Sequence, residues 1–164
     1  MIAQKLWEMN NFHTSISIIS ALNSGPITRL KSTWKDVSRK YLDIFEDIEK
    51  KSTPLRHYKL YRKIIEETLQ KKQAFIPFLG VITKDNTDIE FSLEDYEKNG
   101  FINFQKIYLF YRSNMPFFES QLTVFQNYII DHRSQTIKQY LINLYNTRDE
   151  DQLMQASQKL ETNI

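Results

Sequence analysis

Apolar residues recur along this chain at helical spacing, punctuated by proline, glycine and asparagine. Ile2, Leu6 and Met9 begin the pattern, and Asn10-Asn11 interrupts it. A helix is expected over His13 to Leu22, carried by Ile16, Ile19 and Ala21. Gly25-Pro26 reads as a stop followed by a start, because glycine closes helices and proline suits their first position. A short helix should follow from Ile27 to Thr33. Asp36 or Ser38 is placed to cap the next one, in which Val37, Tyr41, Ile44, Phe45 and Ile48 form a single stripe. Ser52-Thr53-Pro54 ends that helix, and another is expected from about Leu55 to Lys71 on Leu60, Tyr61, Ile64, Ile65 and Leu69.

The segment from Phe75 to Val81 is almost wholly apolar, and its Pro77 and Gly80 exclude a regular helix through the middle. From Thr83 to Asn99 the chain turns polar and acidic, which reads as a partly helical excursion away from the core. Phe101 to about Asp131 is aromatic and helical in period, and Pro116 is expected to kink or break it. Two last helices are expected over Gln135 to Leu144 and about Glu150 to Leu160. With no repeat and no linker, this pattern predicts one all-α domain.

The composition agrees. Among 164 residues there are only 3 Gly and 4 Pro, whereas 11 Phe and 9 Tyr supply enough bulk for one core. Basic and acidic residues interleave to a formal net charge of +2, so no broad field draws the chain to nucleic acid. The lack of cysteine excludes disulfides, cysteine zinc sites and thiol nucleophiles, and suits a reducing, cytoplasmic setting. No apolar run approaches the roughly 18 residues of a membrane helix.

Few groups converge as an enzyme would need. His13, His57 and His132 do not share a metal-ligand spacing and read as surface or packing residues, so no metal is expected. Three distant glycines cannot build a phosphate cradle, so neither bound GTP nor any cofactor is expected. Acidic pairs such as Glu66-Glu67 sit on predicted exposed faces. The run Tyr108, Phe110, Tyr111, Phe117 and Phe118 is denser than a core stripe requires. It reads either as core plus a self-association surface or as a partner-binding face.

Several ordered segments resemble the catalytic domain of Ras guanine-nucleotide exchange factors, the son of sevenless family. They are Asn10-Asn11-Phe12, Ile18 to Ser24, Pro26 to Trp34, Phe45-Glu46-Asp47, His57 to Arg62, Ile76 to Val81, Ile102 to Lys106 and Ser157 to Glu161. That domain begins with helices upstream of Asn10, of which Ile2 to Met9 reads as a stub, so the chain is expected to be its C-terminal two-thirds. The resemblance implies an irregular helical bundle with a protruding helical hairpin, here about 78–130. It implies a regulator that makes no covalent bond, grips the switch regions of a Ras-family small GTPase and pries out GDP. Domains outside this chain would bring it to a membrane.

The resemblance also assigns residues. Tyr58, Phe78 and Val81, with His57 nearby, would line a pocket for a tyrosine of the GTPase, although Phe78 and Val81 also read as plain core. Asn10 and Asn11 would cap backbone, touch the GTPase, or both, and Lys106 would belong to the contact. Arg29, Lys31 and Trp34 would support the hairpin from within. In the hairpin, the apolar residue that blocks magnesium falls on Thr87 and the carboxylate that competes with phosphate falls on Phe91. Ile89 and Glu90 would take these roles in a shifted register. After Lys106, Ile107 and Tyr108 replace the family's basic residues. Three readings follow: an active exchange factor, a GTPase-binding module with weak or no exchange activity, and a helical scaffold without a GTPase partner.

Overall fold

The computed structural model describes residues 2–127, 135–144 and 149–161, with side chains on the longest helix described as far as Thr123. The described residues form ten helices: α1 (Ile2–Glu8), α2 (Phe12–Leu22), α3 (Gly25–Thr28), α4 (Lys31–Lys35), α5 (Arg39–Ser52), α6 (Lys59–Gln70), α7 (Leu79–Ser92), α8 (Phe104–Asn127), α9 (Gln135–Asn143) and α10 (Glu150–Leu160). Among the described residues there is no strand, and no helix is long and apolar enough to cross a membrane. The fold is all-α.

Helix α2 is the central element because both of its sides are apolar. Phe12 and Ile16 pack with Tyr61 and Ile65 of α6, Phe75 and Val81. Ile19 packs on the other side with Ala3 of α1 and Ile48 of α5. Between the two clusters Ser15 is fully buried, and its hydroxyl donates to the Ala3 carbonyl at 2.8 Å. A small residue that satisfies its own polar atom lets α1 approach α2 closely.

The far end of the chain closes on α3 and α4. The Glu161 carboxylate accepts from the Ser32 and Thr33 backbone N–H groups at 3.2 and 2.8 Å, and from the Thr33 hydroxyl at 2.9 Å. It thus caps a helix 128 residues earlier, and the Thr33 N–H bond holds its carboxyl below the usual glutamate range. Arg29 donates to the Glu161 carbonyl and the Ser157 hydroxyl. Trp34 donates its indole N–H to the Ile27 carbonyl and packs 5.5 Å from Phe45. Arg29 and Trp34 therefore brace α10 and α5 rather than the hairpin.

Four expectations change. The segment from Ile27 to Thr33 divides between α3 and α4. Val37 precedes α5, which begins after Ser38. Residues 55–58 precede α6 as a turn in which Arg56, His57 and Tyr58 have φ of 55°, 53° and 57°. Each left-handed residue costs about 1 kcal/mol, and the Arg62 Nε donating to the His57 carbonyl at 2.8 Å helps hold the turn. Finally, Pro116 does not break the long helix, because α8 runs through it. Pro116 lies against a cleft between α6, α7 and α8, where packing opposes the loss of one backbone bond.

Helices α7 and α8 form the hairpin. Its tip is closed by a bridge between Tyr96 and Ile102, with Gly100 at φ 82°. The 128–130 end of the expected hairpin lies outside the described residues, as do His132 and the last turn expected to reach Asp131.

Candidate GTPase-gripping site

The base of the hairpin is built from backbone. Ile76 pairs with Asn11 as an isolated bridge: Ile76 N–H donates to the Asn10 carbonyl at 2.9 Å, and Phe12 N–H donates to the Ile76 carbonyl at 3.0 Å. Asn10 adopts φ 58°, which asparagine tolerates, and its amide donates to the Ala74 carbonyl at 3.2 Å. Asn11 caps α2, accepting from Thr14 N–H at 3.1 Å. The two asparagines thus start α2 and tie the 74–76 segment to it. The sequence alone named capping as one of their roles.

That anchoring sets Phe78. Its N–H donates to the Tyr61 hydroxyl at 2.6 Å, and its ring covers Gly80. A Cβ on Gly80 would come 2.5 Å from Phe78 Cζ, so glycine is required for this ring position. His13 stacks on the ring at 6.0 Å with an interplanar angle of 33°, and its buried Nδ1 has no hydrogen-bond partner among the described residues. Burial pushes the Tyr61 phenol well above its ordinary pKa, against the opposing pull of its bond to Phe78, so it stays neutral. Phe78 and Tyr58 are half-buried at the edge of the core, Val81 is 4% exposed and His57 is fully at the surface.

The residues named from the sequence are therefore only partly brought together. Phe78, Val81 and Tyr58 share one cluster, with Val81 as its floor. Sequence reasoning missed Tyr61, three residues from Tyr58, which holds the Phe78 backbone. It also missed His13 and Arg62. Arg62 bridges the left-handed turn to the hairpin, its guanidinium 2.6 Å from Asp85 on α7. A histidine next to an apolar core position was the available signal for His13.

Of the four candidate wedge residues on α7, Thr87, Glu90 and Phe91 are exposed and Ile89 is half-buried. Thr87 and Phe91 lie on the exposed side with Thr83, and Phe91 is 87% exposed. The Thr83 and Thr87 hydroxyls bond back to the carbonyls one turn earlier, Leu79 at 3.1 Å and Thr83 at 2.9 Å. With their hydroxyls satisfied locally, these threonines have their methyl groups to offer outward. Ile89 lines the cleft of about 420 Å³ between α6, α7 and α8. Glu90 turns to Lys106.

Lys106 is buried on α8, with its ammonium 2.7 Å from Asp95 and 3.0 Å from Glu90. The Asp95 hydrogen bond raises its pKa, so it is charged at neutral pH. It staples the two hairpin helices and has no exposed face to offer. Halfway along, Asn86 bonds Asn114 amide to amide at 3.2 and 3.0 Å and accepts from the Ser113 hydroxyl at 2.6 Å. Among the described residues no cluster of three or more His, Asp or Glu side chains is arranged to hold a metal.

Comparison with known proteins agrees with this architecture. A family model described as the RasGEF domain matches residues 1–108. The chain is 37% identical over 125 residues to Ras guanine nucleotide exchange factor K of Dictyostelium discoideum, covering 76% of this chain and 8% of that protein. It is 31% identical over 163 residues to factor D of the same organism, covering 98% of this chain and 23% of that protein. It is 41% identical over 90 residues to the Ras-specific guanine nucleotide-releasing factor RalGPS1 of Danio rerio, covering 54% of this chain and 15% of that protein. The chain thus spans less than a quarter of the length of these relatives. With its all-helical core, an anchored aromatic at the base of a helical hairpin and a family match over most of its length, the chain belongs to the RasGEF domain family.

Proposed function

We propose that this chain binds a Ras-family small GTPase at the base of its hairpin and promotes the release of GDP. The observation that carries this reading is the half-exposed Phe78, held by the Tyr61 hydroxyl, Gly80 and the Asn10–Ala74 bond. An aromatic so preorganised loses little freedom on binding and suits an anchor role. Tyr58 flanks it, and Val81 closes the pocket floor. Asn10 and Asn11 act by positioning this surface. Thr87 and Phe91 form the wedge that faces the nucleotide site, while Ile89, Glu90 and Lys106 hold the hairpin together.

The chemistry is differential binding. A surface that fits the nucleotide-free GTPase better than the loaded one lowers nucleotide affinity by the same factor. No covalent step is required, and the protein acts as a regulator. A second reading, a binding module with weak or no exchange activity, is favoured by Thr87 and Phe91, which stand at the positions implied for the magnesium-blocking apolar residue and the competing carboxylate, and by the pairing of the nearby Glu90 with Lys106.

Stopped-flow release of a fluorescent GDP analogue from a panel of Ras-family GTPases tests the proposal. Faster release with the chain supports exchange. Phe78→Ala should weaken binding about thirtyfold, the scale of an interface hot spot, with helicity unchanged. Binding without faster release leaves the second reading. No binding to any nucleotide-free GTPase of the panel overturns both.

A further inference from the structure

The turn before α6 is held in an unusual backbone state. Arg56, His57 and Tyr58 have φ of 55°, 53° and 57°, three left-handed residues in succession with no glycine among them. A Cβ crowds the following carbonyl in that state, so such a run needs something to hold it. Tyr58 lies against the main core cluster, but Leu55, Arg56 and His57 are exposed and gain little from packing. The specific restraint is Arg62. Its Nε donates to the His57 carbonyl at 2.8 Å, while its Nη2 lies 2.6 Å from an Asp85 oxygen on α7. One guanidinium thus holds the turn and the hairpin together.

The residues just upstream are set for a different conformation. Thr53 is extended, at φ −62° and ψ 136°, and its hydroxyl accepts from the Leu55 N–H at 3.4 Å. That is the bond of a helix N-cap to the second helical residue, and Pro54 stands between them as a favourable first residue. Yet α6 begins only at Lys59, behind a left-handed Tyr58 that makes no side-chain capping bond. With residues 55–58 right-handed, α6 would run back to Pro54, close to where the sequence predicts its start. The His57 carbonyl would then turn along the helix axis toward the Tyr61 N–H and leave Arg62.

We propose that residues 55–58 are a two-state coupler between Tyr58 and the hairpin. In the left-handed state Arg62, anchored on the turn, clamps α7 through Asp85. In the right-handed state that anchor is lost and the Tyr58 ring takes another bearing. A partner that captures Tyr58, such as the GTPase proposed above, would select one state and so hold or loosen α7. The coupling belongs to this chain alone and does not rest on that partner.

NMR of the full chain tests the proposal, through φ-dependent couplings at residues 56–58 and amide exchange along α7. Glycine accepts left-handed φ freely, whereas alanine favours a right-handed helix. The variants R56G/H57G and R56A/H57A remove the same side chains and differ in backbone preference, so their ratios of the two states should differ on the order of a hundredfold. The glycine pair should keep left-handed couplings and slow exchange over residues 86–92. The alanine pair should move the couplings to right-handed values and quicken that exchange about tenfold, with protection around Phe12 and Ile65 kept. In an Asp85→Ala background the couplings should still respond and α7 should not. Left-handed couplings in both variants overturn the second state. A response in the turn without one in α7 overturns the coupling, and an α7 response that survives Asp85→Ala overturns the route through Arg62. Loss of protection around Phe12 and Ile65 as well marks global unfolding and overturns the local device.

Discussion

The base and the outer half of the hairpin are held by different physics. At the base, Phe75 and Val81 are buried in the main cluster, and backbone bonds tie Ile76 to Asn10 and Phe12. Beyond Ile82, no hydrophobic residue of α7 or the tip is fully buried. There the helices are joined by polar groups: Arg62–Asp85, Asn86–Asn114, and Lys106 with Glu90 and Asp95. Apolar burial is non-directional and strong in sum, whereas polar pairs fix register and contribute less stability each. The base should therefore open only with the whole domain, and the outer half should open locally. The proposed gripping surface would gain from the first property and the proposed wedge from the second.

The largest test of this contrast is Phe75→Ala. The ring is fully buried, so its loss should cost about 3–5 kcal/mol and shift the whole urea transition. A shift confined to a hairpin probe would break the comparison. Next is Tyr61→Phe, which removes the acceptor of the Phe78 N–H. It should cost about 1–3 kcal/mol of global stability and weaken GTPase binding, because the backbone beneath Phe78 loses its anchor. Stability loss with unchanged affinity would separate the core from the grip.

The smallest global effect is expected from Lys106→Met. Amide exchange should quicken over residues 90–106 while protection around Phe12 and Ile65 is kept. The raised pKa gives the sign of the pH dependence. The lysine contribution is complete below its ordinary value of 10.5 and is lost as pH rises through the higher folded value. Wild type and variant should thus converge only in strong alkali. Convergence near neutral pH would argue against a charged staple.

Much of this fold was legible in the sequence because it is local. The 3.6 periodicity marked α2 and α10 nearly to the residue and the bodies of α5 and α6, though not their first turns, and Asn11 announced its cap. The anchored segment before α7 was visible as an apolar run broken by Pro77 and Gly80. The candidate site was less legible. Tyr58 and Tyr61 are alike in sequence, and only the left-handed turn before α6 decides that Tyr61 meets Phe78. Lys106 looked like a surface cation until two carboxylates from α7 and the hairpin tip closed on it.

The sequence by itself determined most of the helices, much of the core and the family, since these follow from short-range periodicity and ordered motifs. Tertiary structure alone decided that Thr87, Glu90 and Phe91 lie exposed on α7 while Ile89 lines the cleft, and which face of α8 is left exposed. The reason is physical: a helix pattern says which residues share a face, but the direction that face points depends on helices distant in the chain.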